Sequence, residues 1–456
     1  MLKTNSEYLR SEIMDVIRLF GAEDEDITHY YSYGANEYYN CIEYGGKFYD
    51  FTDNKQTENE IEFKRFAKRY AKIAVYKVLS EAKNLRFPYG ALTGIRPTKL
   101  AYNEIAAGYN YAELFKECGV SDENIRHVGA IMRAQSHIYA NKGGQDLFVS
   151  IPFCPTKCEY CSFITAPITK TEKYVDNYVS CVERELASVK PLLTNIKSIY
   201  IGGGTPFAIE TKQLDRIYAA INALNLKKCE YTVEAGRPDT FTEEKLKLTK
   251  DYGVTRICIN PQSFKDETLV KIGRKHTCAD IYKAFEMSEK YGFDINIDLI
   301  AGLTDEKLSD FENSLKRAIE LKPANITVHT LSLKSGARLK ENCNRLVIDD
   351  IGAMLALSRQ LLTAAGYEPY YMYRQKYQAG GHENCGWAKP GKACVYNVDV
   401  MEEIADNIAV GANAISKKVV FGGERKIQRC ASPKDIPTYI EKADKIIEDR
   451  YGLFTK

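Results

Sequence analysis

Six short β-rich runs recur through the middle of the chain, at 147–151, 198–201, 230–233, 255–259, 295–300 and 325–331. Between them lie amphipathic stretches of helical length at 171–190, 211–224, 242–252, 278–291 and 307–321. Runs this short that alternate with helices predict parallel strands, because parallel neighbours need a long crossover where antiparallel ones need only a turn. Thr211, Thr242 and Ser309 are the expected N-caps, since their hydroxyls can accept from the free N–H groups of a first turn. Six such units predict an α/β barrel or a doubly wound sheet.

Either architecture gathers its chemistry on the loops at the carboxyl ends of the strands. Every unusual polar cluster of the sequence falls there. A cysteine-bearing segment follows the first run, Gly202-Gly203-Gly204-Thr205-Pro206 the second, Glu234-Ala-Gly-Arg237-Pro238 the third and Asn260-Pro-Gln262-Ser-Phe264 the fourth. Asp298 sits near the end of the fifth run and Ser332 follows the sixth. The coincidence predicts one site built from six loops.

The cysteine segment reads Ile151-Pro-Phe-Cys154-Pro-Thr-Lys-Cys158-Glu-Tyr160-Cys161-Ser-Phe163. A cluster of four irons and four sulfides takes one thiolate per iron, so three cysteines leave one iron open to bind a second molecule. The C-x3-C-x2-C spacing differs from zinc sites, which pair C-x2-C knuckles, and from the four-cysteine ferredoxin run. The triple glycine lets backbone approach a ligand with no Cβ in the way. The other ten of the thirteen cysteines are scattered, and the irregular spacing of Cys343, Cys385 and Cys394 argues against a second cluster.

At 456 residues the chain is long for one compact domain. Residues 1–140 are expected to form a separate α+β domain. They hold a hairpin turning at Gly45-Gly46, a long helix over about 58–83, and a loop with two prolines and two glycines at 87–99. Residues 145–341 carry the strand-helix units, and 342–456 a smaller region read as helical near 351–365 and 397–410. The formal charge of +2, with no basic run, excludes a nucleic-acid footprint. No stretch reaches the roughly 20 apolar residues of a spanning helix. The polar start and scattered cysteines point to a soluble protein of a reducing compartment, taken as cytoplasmic.

The cysteine spacing closely resembles that of the radical S-adenosylmethionine superfamily. Ile-Pro-Phe-Cys-x3-Cys-x-Tyr-Cys, Gly-Gly-Gly-Thr-Pro, Gln262-Ser-Phe and Asn296-Ile-Asp298-Leu-Ile-Ala-Gly302-Leu, in this order, resemble the oxygen-independent coproporphyrinogen III oxidase family. Gly90-Ala-Leu-Thr-Gly-Ile-Arg-Pro-Thr-Lys99 and Tyr371-Met-Tyr-Arg374-Gln-Lys376 extend the likeness to its HemZ-type coproporphyrinogen dehydrogenase branch along nearly the whole chain. The resemblance implies an incomplete (βα)6 radical SAM barrel. It implies one [4Fe-4S] cluster on Cys154, Cys158 and Cys161, whose open iron chelates the amino and carboxylate groups of S-adenosyl-L-methionine.

By the same resemblance, Tyr160 lies beside the adenine, and Gly203, Gly204 and Thr205 contact the methionyl part. Glu234, Gln262, Arg274 and Asp298 match further cofactor contacts, with Asp298 near the ribose and Arg274 near the carboxylate; Ser332 and Ile415 match peripheral ones. The sequence departs from the family twice. Phe148 stands where the oxidases carry a tyrosine that approaches the cofactor, and Phe163 where they often carry a fourth cysteine, a feature shared with heme-chaperone relatives.

The activity implied is oxidative decarboxylation of coproporphyrinogen III propionates to vinyl groups, a step of heme biosynthesis supplied with electrons by a reduced donor such as flavodoxin or ferredoxin. A heme-binding chaperone, or a radical enzyme that methylates or opens heme itself, are the alternatives. A tetrapyrrole bearing propionates needs cations and a flat apolar wall. Arg237, Arg374, Lys376, Lys389 and Lys392 are candidates for the first, and Tyr371, Tyr373 and Trp387 for the second.

Overall fold

The computed structural model describes residues 1–161, 166–332, 348–375, 379–422 and 426–455. Two compact units divide the chain. One comprises Met1–Gly129 with Tyr373–Glu383, the other Ala130–Met372 with Asn384–Lys456. The N-terminal boundary thus falls before 140, and a short late segment is grouped with the N-terminal residues.

The first unit begins with strand β1 (Leu2–Thr4), helix α1 (Glu7–Leu19) and strands β2 (Ile27–Gly34), β3 (Glu37–Tyr44) and β4 (Lys47–Asp53). They form a sheet in the order β1-β2-β3-β4. The expected hairpin is β3–β4: Tyr44 pairs with Lys47 across Gly45 and Gly46, whose φ values of 59° and 75° suit a two-residue primed turn. Helix α2 (Glu60–Lys83) starts where Asn59 accepts from Ile61 and Glu62 N–H and stops at Asn84 in the left-handed region. Shorter helices α3 (Pro97–Ala106), α4 (Tyr111–Glu117) and α5 (Asp122–Ala134) follow, and the second unit, which begins within α5, opens with α6 (Ser136–Ala140).

In the second unit the six expected strands are β5 (Gln145–Ile151), β8 (Ile196–Gly203), β9 (Glu230–Gly236), β10 (Arg256–Gln262), β11 (Asp294–Ala301) and β12 (Asn325–Thr330). A two-residue pair, β6 (Phe153–Cys154) and β7 (Ala166–Pro167), lies between the first two. Each of the six pairs in parallel with the next. They are buried on both faces, as in β11, where Ile295, Ile297, Leu299 and Ala301 on one face are at most 3% exposed and Asn296 and Ile300 on the other at most 8%; parallel sheets require this.

The crossovers are α7 (Ile168–Thr171) with α8 (Val175–Val189), then α9 (Thr211–Asn222), α10 (Glu243–Asp251), α11 (Asp266–Lys271) with α12 (Cys278–Glu289), and α13 (Leu308–Glu320). Thr242 caps α10 as expected, accepting from Lys245 N–H at 3.2 Å. The other two expected caps are corrected. Helix α9 is capped at Glu210, whose N–H donates to Gln213 Oε1 at 3.0 Å, and α13 at Lys307, whose N–H donates to Asp310 Oδ2 at 3.0 Å. In both, a polar side chain three residues on draws the start of the helix back.

The sheet does not close. It runs on at both ends, in the order β13-β14-β12-β11-β10-β9-β8-β5-β15-β16-β17, with β13 (Glu368–Tyr373), β14 (Asn384–Ala388), β15 (Asp406–Val410), β16 (Ile415–Val420) and β17 (Lys426–Ala431). An incomplete barrel of six parallel units is therefore flanked by strands of the C-terminal region, which also holds helices Ile348–Ala364, Val395–Glu402, Ile436–Glu441 and Ala443–Thr455. The stretch read as one helix over 397–410 ends at Glu402, and β15 continues it as a strand parallel to β5. Glu403, at φ 52°, makes the break. Buried Glu185 of α8 fastens this side, accepting from Gly411 N–H at 3.2 Å, the Tyr439 hydroxyl and Arg450 Nη2. Among the described residues no helix is long and apolar enough to cross a membrane.

Candidate functional site

The cysteine loop leaves the carboxyl end of β5, and its backbone is tied on two sides. Toward β8, Gly204 N–H donates to Ile151 O at 2.8 Å and Thr205 N–H to Phe153 O at 2.8 Å. Toward the segment after α11, Glu159 N–H donates to Ile272 O at 3.1 Å, and Thr156 Oγ1 to Gly273 O at 3.3 Å. Cys154 and Cys158 are buried and Cys161 partly so. Burial pushes the Cys154 thiol up to about 12, against the pull of the Thr205 hydroxyl, which donates to its sulfur at 3.4 Å. A bound metal would reverse that balance, since its positive charge deprotonates a coordinating thiol.

The triple glycine is a cradle that any side chain would fill. A Cβ on Gly204 would lie 2.6 Å from Phe153 O, and one on Gly203, at φ +108°, 2.9 Å from Ser150 Oγ. On Gly202 it would meet Glu234 Oε2 at 2.8 Å. Glu234 itself, near the end of β9, accepts from the Tyr200 hydroxyl at 2.5 Å. Burial pushes its carboxyl up to about 7, and the Tyr200 hydrogen bond opposes the rise while the charge of Asp298 adds to it. Asp298 behaves oppositely. Burial would raise it, but His329, Asn296 and Thr327 outweigh that and hold it below the usual carboxylate range. Asn296 Nδ2 donates to it at 2.8 Å, and His329 Nε2 lies 3.5 Å away.

Gln262 closes β10 at φ +72°, a left-handed conformation that is rare for a residue with a side chain. The pairing of β10 with β11 breaks between Ile259 and Gln262, a bulge of the kind that re-aims side chains at sites. Arg274 Nη2 donates to the Tyr160 hydroxyl at 2.7 Å, and Nη1 to Asn260 O. Ser332 lies just beyond β12. Ile415 opens β16 and is 43% exposed. Among the described residues, four buried polar atoms at these loops have no hydrogen-bond partner: Asn260 Oδ1, Gln262 Oε1, Arg274 Nε and Ser332 Oγ.

Other expected members are placed elsewhere. Arg237 is buried in a fork on Asp239, at 3.0 and 2.8 Å, and also donates to Thr156 Oγ1 at 2.5 Å. It braces the cysteine loop. Arg374 is buried over the Tyr89 ring, 4.4 Å from its centroid, and donates to Leu92 O and Gly381 O. Lys389 donates to Lys322 O, and Lys392 to Asp294 Oδ1 at 2.8 Å, both at the amino ends of the parallel strands. The cause is topological: β14 runs antiparallel to β12, so residues after it emerge at the opposite end from the cysteines.

Trp387 is buried within β14 and Tyr371 packs over Gly386, so neither lines an open wall; Tyr373 ends β13. Cys385 pairs opposite Val328, whereas Cys394 donates to Glu230 Oε1 at 3.1 Å at the start of β9, so the two are not brought together. Phe163, Cys343 and Lys376 lie outside the described residues. Sequence reasoning missed the stack of Phe148, Tyr200 and Tyr396 beneath Glu234. Its only signal was the direct register pairing of Phe148 with Tyr200, which requires the strand alignment to be known.

These residues fit an iron–sulfur cluster and a polar cofactor. Three thiols rise from one loop, the glycines leave room for backbone contact, and the unpartnered polar atoms are a hydrogen-bonding set that a polar ligand would satisfy. Among the described residues no three His, Cys, Asp or Glu side chains converge on a single metal ion.

Comparison with known proteins points the same way. The Radical SAM superfamily matches over residues 148–318. The chain is 36% identical over 383 residues, 79% of its own length and 76% of the other's, to the oxygen-independent coproporphyrinogen-III oxidase-like protein HemZ of Bacillus subtilis. It is 30% identical to the heme chaperone HemW of Escherichia coli over 59% of this chain and 69% of that one. Its fold is similar to the solved Escherichia coli coproporphyrinogen III oxidase HemN, a radical SAM enzyme, with a TM-score of 0.54 and 22% identity over 69% of this chain and 72% of that one. The likeness to HemZ spans more than two thirds of both proteins, and the chain belongs to the oxygen-independent coproporphyrinogen-III oxidase-like family of the radical SAM superfamily.

Proposed function

We propose that the chain holds a [4Fe-4S] cluster on Cys154, Cys158 and Cys161, binds S-adenosyl-L-methionine above Gly202–Gly204, and decarboxylates propionates of coproporphyrinogen III to vinyl groups. The observation that carries the cofactor reading is the set of buried, unpartnered polar atoms of Asn260, Gln262, Arg274 and Ser332 at the loops beyond the parallel strands. When bound, cluster and cofactor supply one-electron reduction and a carbon-centred radical able to remove a hydrogen atom. The protein's own task is positional. Arg274 suits a carboxylate, Asp298 suits ribose hydroxyls, and Glu234 accepts from an amino group. Tyr160, Thr205 and Ile415 complete the proposed contacts. A reduced donor such as flavodoxin or ferredoxin supplies the electron, and the decarboxylation passes one electron to an acceptor.

Coproporphyrinogen as substrate is supported by the HemZ likeness along 79% of the chain. The test is anaerobic incubation of the reconstituted protein with coproporphyrinogen III, S-adenosylmethionine and a reductant, with mass analysis of the porphyrins. Vinyl products that vanish in Cys158→Ala support the reading. A second reading, heme binding without decarboxylation, is favoured by the named heme chaperones among the relatives and by Phe148 in place of a hydroxyl-bearing tyrosine. Stoichiometric heme binding with no carbon dioxide released would select it.

A further inference from the structure

We propose that Tyr200 is a positioning residue of the cofactor site, holding the Glu234 carboxylate so that Oε2 is presented above Gly202 to the amino group of S-adenosylmethionine. The inference rests on Glu234 being a cofactor contact.

Tyr200 stands on β8 opposite its register partner Phe148 on β5. Its ring is stacked on both Phe148 and Tyr396, with centroids 6.3 Å and 4.2 Å away and planes 25° and 20° apart. Phe148 and Tyr396 are themselves 6.0 Å apart and inclined by 12°. A ring clamped this way has one orientation, so the place of its hydroxyl is set by packing and not by the ligand. From that place the hydroxyl donates to Glu234 Oε1 at 2.5 Å, and Gly203 N–H adds a second hydrogen bond to the same carboxylate. The other oxygen, Oε2, lies where a Cβ on Gly202 would be 2.8 Å away. Glycine at 202 therefore leaves that oxygen uncovered.

An amino group that holds an iron through its lone pair has only N–H donors left, and an ionised carboxylate is their best acceptor. The groups that face Glu234 are Tyr200 and Gly203 N–H from β8, Cys258 from β10, Asp298 from β11, His329 from β12 and Tyr396 from the helix Val395–Glu402. Asp298 opposes ionisation of Glu234, whereas the Tyr200 hydroxyl, Gly203 N–H and His329 favour it. Tyr200 is the largest of the favourable influences, so losing its hydroxyl makes the acceptor harder to ionise.

Tyr200→Phe preserves the ring stack and removes one oxygen. Binding of S-adenosylmethionine to the reconstituted protein, followed by equilibrium dialysis from pH 6 to 9, is expected to weaken about tenfold at pH 7. The midpoint of the pH profile should move up by about one unit, with affinity largely recovered at pH 9. A second measurement needs no cofactor. The infrared carboxyl band of cluster-free protein, assigned by its loss in Glu234→Gln, should titrate at higher pH in Tyr200→Phe. An unchanged midpoint in both measurements, or a loss of affinity that ignores pH, overturns the role given to Tyr200. Absence of binding by the parent protein at every pH overturns the cofactor reading instead, and the infrared midpoint still decides the coupling of Tyr200 to Glu234.

Discussion

The hydroxyl of Tyr160, between the second and third cysteines, accepts a hydrogen bond from Arg274 Nη2 at 2.7 Å. With Nη1 on Asn260 O, the guanidinium spans from the cysteine loop to the bulged end of β10, while its buried Nε stays without a partner. One side chain thus joins the proposed cluster loop to the proposed cofactor pocket.

Arg274→Lys keeps the charge and loses the fork, and one ammonium cannot reach all three directions. The variant should fold with its cluster and bind S-adenosylmethionine roughly 10- to 100-fold more weakly, the worth of one or two charge-assisted hydrogen bonds. Equilibrium dialysis reads the loss.

Thr205→Val removes the hydroxyl that donates to Cys154 Sγ and keeps the methyl group that faces Gly236. Hydrogen bonds to cluster sulfur stabilise the reduced, more negative state. The variant should take up iron normally and show a more negative reduction potential in an electron-paramagnetic-resonance titration.

Glu234 carries a raised carboxyl, at about 7 in the fold against 4.5 ordinarily. The folded state therefore binds more protons than the unfolded one between those values, and stability falls as pH rises through the window. Glu234→Gln should stabilise cluster-free protein by roughly 2 kcal/mol at pH 8 and by little at pH 4.5. Urea denaturation at the two pH values checks both sign and size.

Arg237→Gln leaves the partly exposed Asp239 beside His276 without its fork and frees Thr156. Although burial opposes it, His276 and Arg237 hold Asp239 well below the usual carboxylate range, so the pair stabilises at neutral pH and loses its contribution as pH falls below about 4. Removing one partner should cost about 1.5 kcal/mol at pH 7, because water reaches the Asp239 carboxylate. Iron content per chain should fall too, because Thr156 belongs to the cysteine loop.

The six strands and their helices were legible because hydrophobic runs bounded by glycine and polar turns leave little choice of element. The cluster loop was legible because its spacing is itself chemistry. Residues 405–410 were not, since Ala-Asp-Asn-Ile-Ala-Val after a helical stretch has no alternation, and β15 is buried too thoroughly to need any. The engagement of Arg237 and Arg374 was not legible for a different reason. Charge is visible in sequence, but whether Arg237 or Arg374 is already engaged depends on Asp239, Tyr89 and Leu92, which only the folded chain brings near. Likewise the Tyr200–Glu234 contact joins two strands whose register no local pattern announces.

Strand β5, which launches the cysteine loop, has β8 on one side and β15 on the other. The second neighbour comes from Asp406–Val410, and Gly411 then packs against Ser150, where a Cβ would be 2.7 Å from its carbonyl oxygen. A growing chain must therefore extend past residue 410 before the platform beneath the cysteines is paired on both edges. Such a long-range pairing is slow to form. Loading of the proposed cluster is accordingly expected only after residue 410 has emerged, and a nascent chain arrested before residue 406 should remain colourless.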